Sequence, residues 1–332
     1  MLQISQEVLI GIVSALVVSF LAFSSAWIKN YYVRRKYPVA GTYVTHYEDE
    51  AEGKQFVVTA ISRFKQSGRR LSGQTVLKNG RTWLLDGSIM GIGHIAGVYS
   101  AEATDDEGVG SYYLRINGMT LDGLWSGYDN VNKRILSGRY FFKRLLKTRI
   151  RALKSAEAPA ALAIAEKVFG PNYLSGADLT GASGLRVFAA VLGGKLVAFA
   201  AIEKAAGVSK KVSEETKLPM DVQLAEKSKS LGIIRTIAVA EEFQGHGIGQ
   251  QLFLAMERVL IRERKTLIAV PAWEDNTGVH LGGILSLNEY EPFLTCKQYW
   301  KNDCDNGTFV CRCRSAQGEC ICNLIWYKKA IG

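Results

Sequence analysis

No cysteine occurs before residue 296, and no charged side chain occurs between residues 8 and 28. The first absence confines thiolate, disulfide and thiol-metal chemistry to the C-terminal end. The second leaves a 21-residue uncharged run. As a helix it would span about 31 Å, the thickness of a bilayer core. Residues 1–7 lack any cation and offer only Glu7, which argues against the basic start of a cleaved signal peptide. No Gly-Lys-Ser or Gly-Lys-Thr is present either, so the P-loop route to nucleotide binding is closed.

What is present begins at the flank of that run. Trp27, Tyr31 and Tyr32 lie where an interfacial aromatic belt belongs, and Lys29, Arg34, Arg35 and Lys36 accompany them. Residues 1–36 therefore read as one N-terminal transmembrane helix with a basic juxtamembrane segment. That reading makes the chain a single-pass membrane protein in contact with the lipid bilayer, its later domains in the cytoplasm. The 332 residues, 48% of them apolar, are enough for about two domains with sizeable cores. The formal net charge is +10. Outside 29–36 the basic excess is mild and spread, so no nucleic-acid partner is expected, and a phosphorylated cofactor fits the charge equally well.

From residue 41 to about 144, eight short alternating runs lie between turn signals, among them "QFVVTAISRF", "SYYLRIN" and "ILSGRYFFKR". An apolar-x-Gly motif recurs at 71–73, 85–87, 95–97, 121–123 and 136–138. Glycine inside a strand usually marks a bulge or bend, and repeated bends are what closing a small sheet requires. Residues 38–146 thus predict an all-β, eight-stranded up-and-down barrel, its interior either filled or holding one small ligand. With "LWSG" at 124–127, "LSGRY" at 136–140 and the apparent anchor, the region resembles lipocalin-like barrels. It also resembles the membrane-anchored β-barrel effectors of bacterial anti-phage signalling. The second resemblance implies a sensor of a small molecule such as a cyclic nucleotide. Those effectors have more than one membrane helix, whereas this chain shows one.

From residue 148 the texture is mixed α/β. "APAALAIAEKVFG" has helical spacing and stops at Gly170-Pro171, and two apolar runs about Gly193-Gly194 read as a hairpin. Next come a Lys-rich polar stretch, a buried-strand signature "GIIRTIAVA", the loop "EEFQGHGIG", an amphipathic helix and another buried strand, "TLIAVPA". A glycine loop between strand and helix lets the backbone approach a ligand, and first-turn N–H groups favour anionic oxygens. The loop suits a phosphate. Its G-x-G-x-G spacing is not the G-x-G-x-x-G of the dinucleotide fold.

Gln244, Gly247 and Gly249, with Gly245 and His246 between the first two and a strand ending "IAV" before them, resemble the acetyl-CoA motif of the GNAT N-acetyltransferases. The resemblance covers residues 148–332 and implies an acyl-CoA-dependent N-acetyltransferase that moves an acetyl group from acetyl-CoA to an amine by direct attack. It implies that strand residues Ile237, Ala238 and Val239 lie along the pantetheine arm. Backbone amides of Gln244, Gly245, His246, Gly247, Ile248 and Gly249 would hold the pyrophosphate, and Asn276 would reach the cofactor. Gly247 and Gly249 are expected to reject any side chain. Members often carry a tyrosine that protonates the leaving thiolate. At the nearest places this chain has Gly282, Gly283 and Leu285, and Tyr290 falls a turn later. The strand "GIIRTIAVA" holds no glutamate to act as base. Glu203, Glu242, Glu274 and Asp275 are read as solvated carboxylates, and His246 as a backbone donor, so no catalytic acid or base is assigned. The other reading of the chain is a membrane-tethered sensor. In it the barrel binds a small signal or a protein, and the transferase-like domain is output or a cofactor-binding remnant.

All six cysteines lie in 296–322, and "CRCRSAQGECIC" sets two C-x-C pairs about a turn. On a hairpin, residues two apart share a face, so Cys311, Cys313, Cys320 and Cys322 could converge. In a reducing cytoplasm disulfides are disfavoured, which leaves zinc, buried thiols or redox-active thiols, with Cys304 as a substitute ligand.

Overall fold

The computed structural model describes residues 18–20, 24–25, 27–51, 54–103, 108–129, 133–203, 207–212, 217–309 and 319–331. The chain divides into two compact units, Met1–Leu145 and Leu146–Gly332.

In the first unit the eight alternating runs are eight antiparallel strands. They are β1 (Gly41–Ala51), β2 (Lys54–Ser67), β3 (Arg70–Leu77), β4 (Thr82–Met90), β5 (His94–Ala101), β6 (Val109–Asn117), β7 (Thr120–Asp129) and β8 (Arg134–Arg144). Each pairs with the next, and β1 pairs with β8 from Tyr43 opposite Arg144 to Tyr47 opposite Tyr140, so the sheet closes into a barrel.

The strand glycines serve differently from the bends expected of them. No register in the barrel shifts at a glycine. Instead a ring often faces one across the pair: Phe64 opposite Gly73, Tyr112 opposite Gly97, Tyr99 opposite Gly110, Trp125 opposite Gly138. A Cβ on Gly97 would overlap the Tyr112 ring, and one on Gly110 the Tyr99 ring. Glycine here supplies the volume that an inward aromatic occupies on the neighbouring strand.

The interior is layered. Val39, Tyr43, Phe64, Leu71, Leu114 and Phe142 belong to one buried apolar cluster. Beside it runs a buried hydroxyl ladder, Thr45 to Ser62 at 2.5 Å and Ser62 to Thr75 at 2.6 Å, which satisfies polar atoms that water cannot reach. Tyr47, Tyr99 and Trp125 line the open part.

The N-terminal transmembrane helix is corrected. Among the described residues no helix is long and apolar enough to cross a membrane, and the single-pass membrane placement is withdrawn with it. Residues 8–17, 21–23 and 26 of the expected span lie outside the described residues. The longest described helical stretch there is α1 (27–36), about 15 Å long and holding Lys29, Arg34, Arg35 and Lys36. Its end is engaged by the barrel. Val33 and Tyr37 pack against the apolar cluster, and Gln66 accepts from Val39 N at 2.9 Å while donating to Tyr37 O at 3.1 Å.

The second unit is a mixed sheet with helices. Its strands are β9 (Arg149–Ala152), β10 (Leu185–Leu192), β11 (Lys195–Glu203), β12 (Leu231–Val239), β13 (Leu267–Asp275), β14 (Gly278–Val279), β15 (Glu291–Cys296) and β16 (Asn323–Ala330). Their order is β15-β16-β13-β12-β11-β10-β9, with β14 on β13. The helices are α2 (Ala158–Phe169), α3 (Gly176–Thr180), α4 (Met220–Lys227), α5 (Ile248–Arg262), α6 (Gly282–Leu287) and α7 (Lys301–Asp305). Gly193 and Gly194, at φ 55° and 85°, form the two-residue turn that the β10–β11 hairpin demands. Helix α5 buries Ile248, Leu252, Phe253, Met256 and Leu260 on one face against β11, β12 and β13. The β12–α5–β13 crossover makes the one parallel pairing of this sheet among the described residues.

Candidate active site

Strands β12 and β13 share only three register pairs, Leu231 with Leu267, Gly232 with Ile268 and Ile233 with Ala269. Beyond them each strand stays bonded on its other side. β12 follows β11 to Val239 opposite Ala198, and β13 follows β16 to Glu274 opposite Asn323. From Ile234 and Val270 onward the facing edges have no strand partner among the described residues, until β14 pairs with Glu274 and Asp275. Backbone N–H and C=O groups along such a cleft require partners. A bulge helps make it. Ala201 pairs with Thr236 and Ile202 with Ile234, so Arg235 is the extra residue, and a bulge bends its strand.

The glycine loop closes one end of β12. Gln244 Nε2 donates to Val239 O at 3.0 Å, tying the loop back to the strand. Gly245 and Gly247 have φ of 79° and 77°, left-handed values that side chains resist. His246 between them is buried, and its carbonyl accepts from Leu146 N at 3.1 Å. Gly247 caps α5, whose first intrahelical bond runs from Gln251 N to Gly247 O at 3.1 Å. The amides of Ile248, Gly249 and Gln250 precede that bond, at the end of a helix where such amides favour anions. Gly249 differs from the other two glycines. It is helical, and a Cβ there would sit 3.4 Å from Ile284 Cδ1, an ordinary contact.

On the sheet face opposite α5, Trp273 gathers an aromatic group. Trp300 stacks on it at 4.8 Å, Phe169 at 6.0 Å, and Tyr173 and Phe309 complete the set. Burial pushes the Tyr173 hydroxyl up. Trp273 Nε1 is buried with no hydrogen-bond partner among the described residues. Glu203 is also buried, bound by Lys211 and, at 3.1 Å, by Arg235. Burial pulls the Lys211 ammonium down, against the pull of Glu203.

Residues 154–280 match the family model described as Acetyltransferase (GNAT) family. They are a GNAT acetyltransferase domain. Among solved structures the chain is similar to a ribosomal-protein-alanine N-acetyltransferase from Brucella melitensis, at 16% identity over 55% of this chain and 99% of that one, TM-score 0.38. It is similar to an IAA acetyltransferase from Bacillus cereus, at 15% identity over 56% and 100%, TM-score 0.38. A Bacillus subtilis acetyltransferase in complex with CoA is 15% identical over 56% and 100%, TM-score 0.37. No curated protein sequence matches the chain.

Within the GNAT domain, Ile237, Ala238 and Val239 form the end of β12, and Gln244 to Gly249 lead from it into α5. Asn276 is exposed in the β13–β14 turn, with no hydrogen bond to the loop among the described residues. Three of the four carboxylates lie at or near the surface. Glu242 is 3.8 Å from Lys195, Glu274 accepts from Asn323 at 2.8 Å, and Asp275 binds Thr277 and His280. Glu203 departs from the solvated reading because two cations hold it under the sheet. Tyr290 donates to Glu257 at 3.1 Å and packs on Phe253 in the buried cluster between α5 and the sheet. The aromatic group and the Arg235 bulge escaped the sequence reading. The one available signal was a lone arginine inside an otherwise apolar strand.

Two of the four cysteines of the zinc expectation, Cys320 and Cys322, lie on described residues. Cys322 is disulfide-bonded, so its sulfur is no thiolate ligand. Cys320 is buried and, like Cys322, precedes β16 instead of lying on a hairpin strand. Cys311 and Cys313 lie outside the described residues. Among the described residues no group of three or more His, Cys, Asp or Glu is arranged to hold a metal ion.

Proposed function

We propose that the GNAT domain transfers an acetyl group from acetyl-CoA to an amine, and that the cleft between β12 and β13 seats the donor. One observation carries this reading: pairing between the two strands stops at Ile233 and Ala269, and β12 runs on to Val239 toward a loop whose left-handed Gly245 and Gly247 end at the N-terminus of α5. The exposed strand edge suits the amides of a pantetheine arm, and the loop and first-turn N–H groups suit a pyrophosphate. Gln244 positions the loop by holding Val239 O.

The amine nitrogen attacks the thioester carbonyl, a C–N bond forms, and the C–S bond breaks with its electron pair leaving on sulfur. The ammonium proton passes to water. Positioning an amine beside the thioester supplies much of the rate, since a well-oriented pair avoids the entropy of encounter. The acceptor side of the reading rests on the Trp273 group, whose buried indole N–H has no partner among the described residues. The test is calorimetry with acetyl-CoA followed by CoA-thiol release across a panel of amines. Binding with turnover of at least one amine is expected. A chain that does not bind acetyl-CoA overturns the proposal.

A further inference from the structure

The barrel has a second cavity chemistry that acetyl transfer does not use. Its open end encloses about 330 Å³, the lower end of the size range of small-ligand sites. Rings form the wall. Tyr47 meets Trp125 at 6.3 Å and 86°, Trp83 meets Tyr99 at 5.5 Å and 87°, and Tyr47 meets Tyr140 at 5.9 Å and 80°. Edge-to-face contacts of this kind orient neighbouring rings in different directions, so the wall mixes negative faces with positive edges.

The charges in the same wall are unequal. Among the described lining residues, Asp49, Glu50 and Asp129 stand with one guanidinium, Arg81. Glu50 is paired with Arg134, and Arg81 lies over the Trp83 ring at 5.7 Å, so one ring of the wall already takes a cation. Asp49 has no ion-pair partner among the described residues, and its Oδ1 accepts from Glu50 N at 2.8 Å. Burial first, and then the Asp49 charge, push the hydroxyls of Tyr47 and Tyr99 up to about 12.

We propose that the cup at the open end of the barrel binds a small organic cation of the alkylammonium class, held by ring faces and by Asp49. A cation is attracted to the ring quadrupole and to the excess carboxylates together, which a neutral ligand of equal shape is not. A nucleotide, by contrast, brings its phosphates toward the Asp49 carboxylate. The glycines of the barrel prepare this wall. Gly110 and Gly127 leave room for the Tyr99 ring, and Gly138 for Trp125.

The experiment compares choline with its neutral isostere 3,3-dimethylbutan-1-ol and with AMP, on the full chain, by calorimetry and by tryptophan fluorescence. Choline has no acylatable nitrogen, so the result is independent of acetyl transfer. Choline is expected to bind at least tenfold more tightly than the alcohol, and Asp49→Asn, nearly isosteric, to remove about that factor. Trp83→Leu is the second variant and should weaken choline while leaving the circular dichroism unchanged. Equal binding of choline and the alcohol would overturn the proposal in favour of a merely apolar pocket. AMP binding that Asp49→Asn strengthens would overturn it in favour of an anion site. No binding of choline at millimolar concentration would leave the cup a packed barrel mouth and also overturns it.

Discussion

Gly247 has φ of 77° and is the residue from which α5 starts, so a side chain there forces the loop out of shape before it meets any ligand. Gly247→Ala should cost about 1–2 kcal/mol in backbone strain. A comparable loss in acetyl-CoA affinity is roughly tenfold, read by calorimetry. Gly249→Ala should leave binding and stability close to the parent, because its methyl meets Ile284 at an ordinary 3.4 Å. Gly249→Glu should abolish acetyl-CoA binding with the fold intact, since it sets a carboxylate at the helix end proposed for phosphates. Retained binding in Gly249→Glu would remove the loop from the cofactor site. Elsewhere in the same unit, Arg151 holds the Glu157 carboxyl down to about 2 from its ordinary 4.5, through two hydrogen bonds of 2.7 and 2.6 Å. A carboxylate with a depressed folded-state pKa stabilises fully above the unfolded value and loses that contribution as pH falls through the folded one. Glu157→Gln should therefore lower the denaturation midpoint at neutral pH. The gap to the parent should close between about pH 4.5 and about pH 2. A gap that is constant over that window would show the pair to be energetically idle.

At the scale of the element, the barrel depends on matching each inward ring to an absent side chain. A Cβ at Gly127 would overlap the Tyr99 hydroxyl and lie 3.1 Å from its Cζ. Gly127→Ala should destabilise the barrel by about 1–3 kcal/mol, the usual cost of overpacking. Tyr99→Phe removes the overlapping oxygen, so in the alanine background it should restore part of the loss. A coupling of at least about 0.5 kcal/mol is expected from the double-mutant cycle in urea. Additive effects would show that ring and glycine do not share that volume. The β12–β13 pair works the other way. Its strands are stabilised at one end by three register pairs and on their outer sides by β11 and β16, which lets the intervening edges stay open without loss of the sheet.

At the scale of the whole molecule, the two compact units have separate cores, and a domain with its own core can fold alone. Calorimetry of the full chain should give two unfolding transitions. A fragment covering residues 27–145 should show a β-type circular dichroism spectrum and a cooperative melt. It should retain α1, because Val33, Tyr37 and Gln66 fasten that helix to the barrel. A single transition, or a fragment without cooperative melting, would show that the units need each other.

Local pattern by itself determined a good deal of this protein. Alternation with turn signals defined eight strands of 38–146, because a half-buried strand imposes period two on its residues whatever its neighbours are. The glycine loop between a buried strand and an amphipathic helix located the GNAT motif, because a left-handed turn next to a helix start admits few residues besides glycine. Tertiary structure decided the rest. The strand glycines look like bends until the register sets each beside a ring on the next strand. Glu203 looks solvated until Lys211, eight residues on, and Arg235, on the neighbouring strand β12, enclose it. The uncharged run at 8–28 reads as a membrane span from hydropathy alone, yet among the described residues no helix qualifies, and α1 ends in contacts with the barrel. Cleft, bulge and aromatic cup arise from strands meeting or parting across space, and a sequence pattern records what faces inward without recording what it faces.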